Sequence, residues 1–166
     1  MGKYTAEKVL NLNVKKRWYV VANRIEATIY KDANDQRFIF VERLPNEDGH
    51  LTETSLDADK SGRSGSGSRS GSVHHSLDRH SKQHEQVARK FAQKIIKKLS
   101  TCVESTAEHD VKSELVIVAE PHFLGLLRAT IPAAMKGLIT HEIRRDYSGL
   151  NASELRAQIM QVIEKE

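Results

Sequence analysis

Residues 115–129 read LVIVAEPHFLGLLRA and decide the class of fold. The residues from Leu115 to Ala119 form a continuous apolar run, which is typical of a central strand buried on both faces. Pro121 suits the first turn of a helix, and the residues after it continue that helix. Strands that alternate with helices in this half of the chain predict a mixed sheet covered by helices.

Three further strands are predicted upstream of this unit. Residues 18–30, WYVVANRIEATIY, contain a near-continuous apolar run and then a stretch of alternating apolar and polar residues, which predicts two strands. Residues 37–44, RFIFVERL, predict a third strand after a turn rich in Asp and Asn at residues 31–36. Consecutive strands with short links usually pair antiparallel, so we expect these three to do so.

Downstream of this unit, the sequence predicts an interruption of the helix, one further strand and a final helix. Pro132 cannot lie inside a helix, so the helix that begins at Pro121 is predicted to end just before it, with Pro132 as the first residue of a new turn. Residues 139–146, ITHEIRRD, predict the last strand. Asn151 and Glu154 have the spacing of a capping box, which predicts the start of the final helix.

The predicted elements define an α/β fold with a mixed β-sheet of about five strands in the order β-β-β-loop-α-β-α-β-α, covered by helices. A chain of 166 residues fits one domain that buries its own core. We therefore expect a single α/β domain over residues 18–166, preceded by an N-terminal extension at residues 1–17.

The middle of the chain carries a segment of a different kind. Residues 61–72, SGRSGSGSRSGS, contain six Ser, four Gly, two Arg and no apolar residue. Such a segment cannot bury enough surface to offset the entropy of ordering it, so a flexible loop is expected at about residues 55–80. A linker between two domains is the alternative interpretation, but the three strands before it are too few for an independent core.

A long amphipathic helix is predicted after this loop, beginning near Ser81. Apolar residues recur along it at three- and four-residue steps, and lysines occupy the opposite side. The apolar side includes Cys102, the single cysteine of the chain. We therefore expect Cys102 to be a small buried side chain, and no disulfide forms within the chain.

Positive charge is concentrated in the loop and in this helix. The net charge of the chain is +4, yet residues 60–98 hold ten Lys or Arg against two acidic residues and so carry +8, which leaves −4 for the rest. Arginines on a Ser/Gly backbone, a basic helix and the N-terminal end of that helix all attract polyanions. Because the loop contains no aromatic residue, we expect contacts to backbone phosphate, which weaken as salt is added.

Two other chemistries are open at this stage. His80 and His84 would lie on one side of a helix and could bind a divalent metal, but no Cys or Asp cluster completes the ligands. Serines and histidines of the loop, with Asp78, could supply a nucleophile and a base, but a flexible loop does not hold such groups in place. We therefore predict no cofactor, no metal and no catalytic residue, and we leave open whether the protein is an enzyme.

No segment predicts export or membrane insertion. Residues 1–17 lack the continuous apolar core of a secretion signal, and no run of 18 apolar residues occurs in the chain. The expected location is the cytoplasm, without membrane contact.

Four stretches resemble the bacterial host attachment protein family. They are the hairpin WYVVANRIEATIY, the Ser/Gly/Arg/His loop leading into KQHEQVARKFAQKI, the block VIVAEPHFLGLLR with its Ile-Pro restart, and the closing EIRRDYSGLNASEL, which together span about residues 18–160. The resemblance implies a fold similar to the middle domain of archaeal and eukaryotic class-1 peptide release factors and of the rescue factor Pelota. In the release factors, the equivalent loop carries a Gly-Gly-Gln motif that enters the ribosomal peptidyl-transferase centre and positions a water to cleave peptidyl-tRNA.

The loop departs from that pattern because it contains no Gly-Gly-Gln. Its nearest glutamines, Gln83 and Gln86, lie on the predicted helix, so peptidyl-tRNA hydrolysis does not carry over. We expect an RNA-binding domain, associated with the ribosome or with tRNA, that contacts phosphate through the loop and the helix. The residues assigned to that contact are Arg63, Arg69, His74, His75, Arg79, Lys82, Arg89, Lys90, Lys94, Lys97 and Lys98.

Two alternatives stay open. One is a non-enzymatic interaction protein, in which the loop folds on a protein partner or the domain acts in attachment to a host or another surface. This alternative predicts weak salt dependence and no co-purifying RNA. The other is a hydrolase of peptidyl-tRNA or of another RNA ester that uses His74 or His75. The sequence leaves the oligomeric state open.

Overall fold

The computed structural model of the chain describes residues 16–32, 37–49, 73–105 and 112–165, and for residues 73–81 the description is limited to the backbone. The described elements are, in chain order, β1 (Lys16–Ala22), β2 (Glu26–Asp32), β3 (Phe38–Pro45), α1 (Val73–Ser105), β4 (Ser113–Ala119), α2 (Pro121–Thr130), α3 (Ala133–Lys136), β5 (Ile139–Arg144) and α4 (Ala152–Ile163).

The five strands form one mixed sheet in the order β3-β2-β1-β4-β5. β1 pairs antiparallel with β2, with Tyr19 opposite Tyr30, and β2 pairs antiparallel with β3. β4 lies parallel between β1 and β5, with Ile117 opposite Val20. The predicted α/β class, the mixed five-stranded sheet and the antiparallel pairing of the first three strands are confirmed.

Helices cover both faces of the sheet, and the sheet separates the core into two clusters. On one face, called here the α1–α2 face, the helices α1 and α2 pack against side chains that include Trp18 and Ile117. On the other, called the α4 face, α4 packs against Tyr19 and Val118. Successive residues of β4 alternate between the two clusters, and this explains why residues 115–119 are apolar throughout.

Helix α1 begins at Val73, well before the predicted start at Ser81. The apolar periodicity starts only near Val87, so the first turns of the helix have no amphipathic signal in the sequence. These turns contain neither Gly nor Pro, so no residue there breaks a helix. Residues 73–80 of the predicted loop are therefore helical, which corrects the prediction, and residues 55–72 of it lie outside the described residues.

The ends of two later elements also differ from the prediction. β5 ends at Arg144 and not at Asp146. The Asp146 carboxylate accepts hydrogen bonds from the backbone N–H of Ser148 at 3.1 Å and from its hydroxyl at 2.6 Å, and so begins a turn. Pro132 precedes the short helix α3 as its N-cap, one position before the predicted first turn.

A capping box starts α4, as predicted. Asn151 Oδ1 accepts hydrogen bonds from the backbone N–H groups of Ser153 and Glu154, each at 3.0 Å. In return, Glu154 Oε2 accepts one from the Asn151 N–H at 3.3 Å. These bonds satisfy amide groups that the start of a helix otherwise leaves open.

Cys102 lies on the apolar, core side of α1, as expected, but is half-buried where a buried side chain was expected. Burial is the main cause that raises the pKa of its thiol. The thiol is therefore protonated at neutral pH, and a protonated thiol is a weak nucleophile.

Candidate binding surface

The outer side of α1 carries three lysines, Lys90, Lys94 and Lys97, called here the lysine row. They are spaced by four and three residues, so they lie on one side of the helix, and all three are exposed. The inner side of the same turns holds Phe91 and Ile95, both buried. The apolar side of α1 packs on the sheet and so directs the amines to solvent.

No helix within the described ranges is long and apolar enough to cross a membrane.

The lysine row differs from Lys98 and Arg89 of the same helix, each of which forms an ion pair with a carboxylate. Lys98 Nζ lies 2.8 Å from Glu42 Oε2, and this contact raises the pKa of the Lys98 amine. Arg89 lies 3.5 Å from Glu85 one turn earlier. Across the part of the chain that the structure describes, no carboxylate forms an ion pair with a member of the lysine row.

Several arginines elsewhere in the described fold form ion pairs, as Lys98 does. Arg17 Nη2 lies 2.8 Å from Glu114 Oε2 on the α4 face. Two further ion pairs join neighbouring elements, Arg43 with Glu26 and Arg128 with Glu142. No described carboxylate forms an ion pair with Lys90, Lys94 or Lys97, and Glu47 and Asp48 line a shallow pocket together with Lys90 and Lys94. A local excess of one sign of charge attracts partners of the other sign.

The surface beside the lysine row continues over α2, whose own residues include no acidic side chain. The two helices pack through Phe91 and Phe123, with ring centroids 5.9 Å apart. A groove of about 230 Å³ between them is lined by Arg89, Gln93, Leu126, Ala129 and Thr130. Both phenylalanines are buried, so the described side chains of α1 and α2 offer charge to a ligand and no Phe, Tyr or Trp ring for base stacking.

The residues predicted to contact phosphate fall into three groups. Arg63 and Arg69 lie outside the described residues. The backbone of the early turns of α1 contains a second group, whose side chains are outside the description: His74, His75 and Arg79. These three were expected in the loop and belong to the helix. The third group has described side chains on α1: Lys82, Arg89, Lys90, Lys94, Lys97 and Lys98. Phosphate contact by any of them stays a prediction.

A cleft that the sequence did not point to lies at the carboxyl ends of the parallel strands. It measures about 290 Å³, and its lining includes Asn23, Arg24, Asn46, Glu120 and Asp146. Ligands of open α/β sheets usually bind at this end, where loops from several strands meet. Arg24 Nε lies 3.5 Å from Glu120 Oε1 across it. The sequence indicated this cleft only by polar residues shortly after the strands that end there.

Most of the polar groups in the cleft are used to join its loops. Asn23 Oδ1 accepts hydrogen bonds from the backbone N–H groups of Ile25 and Glu26 at 2.8 and 2.9 Å. Asn23 Nδ2 donates to Ser148 Oγ at 3.0 Å and so links the turn after β1 to the turn after β5. These side chains of the cleft therefore serve mainly to connect its loops through hydrogen bonds.

The structure brings no metal centre together from the residues it describes. Among these residues, no group of three or more His, Cys, Asp or Glu is placed to hold a metal ion. The side chain of His80 lies outside the description, so metal binding by His80 with His84 is untested. The same holds for hydrolysis through His74 or His75, which stays an open alternative.

Fold and charge together define the class of protein: a three-layer α/β domain whose α1–α2 layer presents three lysines that form no ion pair with a described carboxylate. The family follows from comparison with known proteins. A family model described as "Protein required for attachment to host cells" matches residues 18–159, and the chain belongs to that family. No curated protein matches the chain. Neither the family match nor the strand order shows the resemblance to release-factor middle domains.

Proposed function

We propose that this protein is a non-enzymatic interaction protein that takes part in attachment to host cells. The family match over residues 18–159 carries the proposal, because it spans nearly all of the described fold. We assign the contact with the partner to the lysine row on α1. The partner is then expected to carry acidic groups.

The lysine row suits a binding role because its amines form no ion pair with a described carboxylate and the helix that carries them is packed on the core. Its amines have no ion pair with the described carboxylates, so a partner does not have to displace one. The helix beneath is anchored by Phe91, Ile95 and Leu99, which are all buried. A surface on a rigid helix loses less entropy on binding than one on a mobile segment. Salt screens exposed charges beyond about 8–10 Å, so the amines act on groups directly at the contact.

An attachment assay tests this proposal. A strain that lacks the gene is complemented with the wild-type chain or with the triple variant K90Q/K94Q/K97Q, and cells bound to the host surface are counted. We expect about tenfold less binding for the triple variant, if each lost charge contact contributes roughly 0.5 kcal/mol.

The matched control removes the same charge elsewhere. Lys112, Lys136 and Lys165 are exposed and lie outside α1. The variant K112Q/K136Q/K165Q should attach like wild type. Equal losses in both triple variants would point to net charge and contradict the assigned surface, and normal attachment by the gene-deleted strain would contradict the function.

RNA binding is a second candidate function for the same surface. Its specific support is the row of three unpaired amines on the helix that follows the Ser/Gly/Arg segment with Arg63 and Arg69. In this candidate the chain associates with the ribosome or with tRNA, as a fold similar to release-factor middle domains would. Contacts go to phosphate, because the described side chains of α1 and α2 present no Phe, Tyr or Trp ring on which bases could stack.

Sedimentation with ribosomes and filter binding to bulk tRNA, at several salt concentrations, test the second candidate. The logarithm of the binding constant falls linearly with the logarithm of the salt concentration, and each lost phosphate contact makes this decrease less steep by roughly 0.7 to 0.9. Loss of the lysine row should therefore make the decrease less steep by about 2. Deletion of residues 61–72 should make it less steep still, and K112Q/K136Q/K165Q should leave the steepness unchanged. Absence of binding at low salt excludes this candidate and leaves the attachment proposal standing.

A further inference from the structure

Strand β3 lies at the edge of the sheet and exposes apolar side chains on both of its faces. Ile39 is 41% exposed and Phe40 is 59% exposed, and these are the exposed large hydrophobic residues of the described part of the chain. They fall within Phe38–Val41, a run of four apolar residues without a charge. Edge strands in soluble proteins are usually protected by charge, proline or a cover, because they can pair with another strand.

The two exposed residues project to opposite faces of the sheet. Phe40 pairs with Tyr30 on the α4 face, where their ring centroids lie 6.2 Å apart, and Phe38 lies 5.5 Å from Tyr30 on the same face. Ile39 pairs with Lys31 on the α1–α2 face. A single added strand beside β3 would cover both exposed side chains at once, whereas a helix laid on one face would cover only one of them.

The register of β3 has one irregularity, and this determines which residues share a face. The pairing with β2 shifts between Ile29 and Tyr30, so Val41 has no partner and Glu42 takes the next position after Phe40. Glu42 is therefore on the same face as Ile39, and Arg43 is on the same face as Phe40. Side chains that oppose each other across two paired strands must lie on the same face of the sheet.

We propose that β3 pairs antiparallel with β3 of a second copy of this chain, around a two-fold axis at Ile39. In this register Ile39 opposes its own copy, Phe38 opposes Phe40, and Arg37 opposes Glu42. Each of the last two contacts occurs twice because of the symmetry. The apolar residues thus meet one another in the centre, and residues of opposite charge meet at both ends.

The neighbouring register lacks this complementarity. If the axis moved one position to Phe40, Ile39 would oppose Glu42 and Phe38 would oppose Arg43. Each apolar side chain would then face a charged one. The sequence of β3 together with its bulge therefore favours self-pairing at Ile39, and the two sheets join into one continuous sheet of ten strands. This inference is independent of the proposed function, because it uses neither the lysine row nor the attachment role.

Sedimentation equilibrium of the full chain over a wide concentration range tests the pairing. We expect a monomer–dimer equilibrium for the wild type. Ile39→Lys places two like charges opposite each other at the axis and should weaken the dimer by about tenfold or more. Thr140→Lys, which introduces the same residue on the opposite edge strand β5, should leave the dimer unchanged.

A charge exchange tests the register itself. Arg37→Glu and Glu42→Arg should each weaken the dimer, because each creates like charges at both ends, and the double variant should be more dimeric than either single variant. Restoration is partial because Glu42→Arg also removes the ion pair with Lys98. Circular dichroism verifies that each variant is folded, and the exposed site of Arg37→Glu keeps the test available if Ile39→Lys unfolds the chain. A monomer at all concentrations, or a dimer that neither Ile39→Lys nor the charge exchange affects, overturns the proposal; a monomer would direct the search to a strand from another protein.

Discussion

The side-chain amide of Asn46 donates a hydrogen bond of 2.7 Å to the backbone carbonyl oxygen of Arg24. This bond ties the end of β3 to the turn between β1 and β2. It is reinforced by the Asn46 N–H, which donates to the Ile25 carbonyl at 2.7 Å. Asn46 is the buried polar residue of the described core, with 8% of its surface exposed, and its bond to Arg24 is partly buried. The last described residue before the Ser/Gly/Arg segment, Gly49, packs against the same carbonyl.

Asn46→Ala should destabilise the fold. It removes the amide that donates to the Arg24 carbonyl, and one intramolecular hydrogen bond contributes about 0.5–1.5 kcal/mol to stability. Urea unfolding followed by circular dichroism measures the loss. Asp48→Ala, at an exposed position of the same segment, is the control and should change the unfolding free energy by less than about 0.5 kcal/mol. A loss for Asn46→Ala no greater than that of the control would contradict the assigned role.

Two glycine-to-alanine substitutions should change stability in opposite directions. A Cβ atom at Gly49 would lie 2.8 Å from the Arg24 carbonyl oxygen, so the backbone would have to shift, at a cost of about 1–3 kcal/mol. A Cβ at Gly125, inside α2, meets nothing within 4 Å. Gly125→Ala should therefore stabilise the protein by about 0.5–1 kcal/mol through helix propensity. Thermal unfolding of both variants measures the signs, and a shared sign would refute the packing argument for one of the sites.

Asn151→Ala should weaken α4 by removing the capping box. The expected loss in unfolding free energy is about 1 kcal/mol, because two backbone N–H groups lose their acceptor. Ser153→Ala changes an exposed residue of the same turn without removing the cap and serves as the control. Urea titration of the two variants makes the comparison. Similar midpoints for both would show that the capping bonds contribute nothing to stability.

Stability should fall at alkaline pH because of a buried tyrosine. The Tyr19 hydroxyl donates a hydrogen bond of 2.9 Å to Asp32 Oδ2, and burial followed by the Asp32 charge raises the pKa of Tyr19 well above its usual 10.0. Above pH 10, the unfolded chain loses this proton while the folded chain keeps it. The unfolding free energy should then decrease with pH, by up to about 1.4 kcal/mol per pH unit for one proton.

Tyr19→Phe tests the alkaline effect. The variant should show a shallower decrease between pH 10 and 11 than wild type, measured by urea unfolding. Some decrease should remain, because burial also raises the pKa of Tyr30. Between pH 6 and 8 the slopes of wild type and variant should agree, since the tyrosine is protonated in both states. An unchanged slope above pH 10 in the variant would refute the assignment to Tyr19.

Local patterns were sufficient to predict most elements of the fold. The apolar run from Leu115 to Ala119 predicts a central strand because a strand covered on both faces needs no polar position. Asn151 and Glu154 predict the start of α4 because capping depends on residues three positions apart. The start of α1 at Val73 escaped prediction because its first turns are polar, and a polar helix gives no periodicity to detect.

The sequence by itself determined the mixed α/β sheet, its covering helices and the excess of positive charge on α1, since these follow from the periodicity and composition of neighbouring residues. The sequence did not show which basic residues of that helix form ion pairs. The tertiary structure alone decided that Lys98 is neutralised by Glu42 of β3 while the lysine row keeps its charge. The physical reason is that an ion pair needs two side chains within a few ångströms, and strands distant in sequence come that close only when the sheet and its helices pack together.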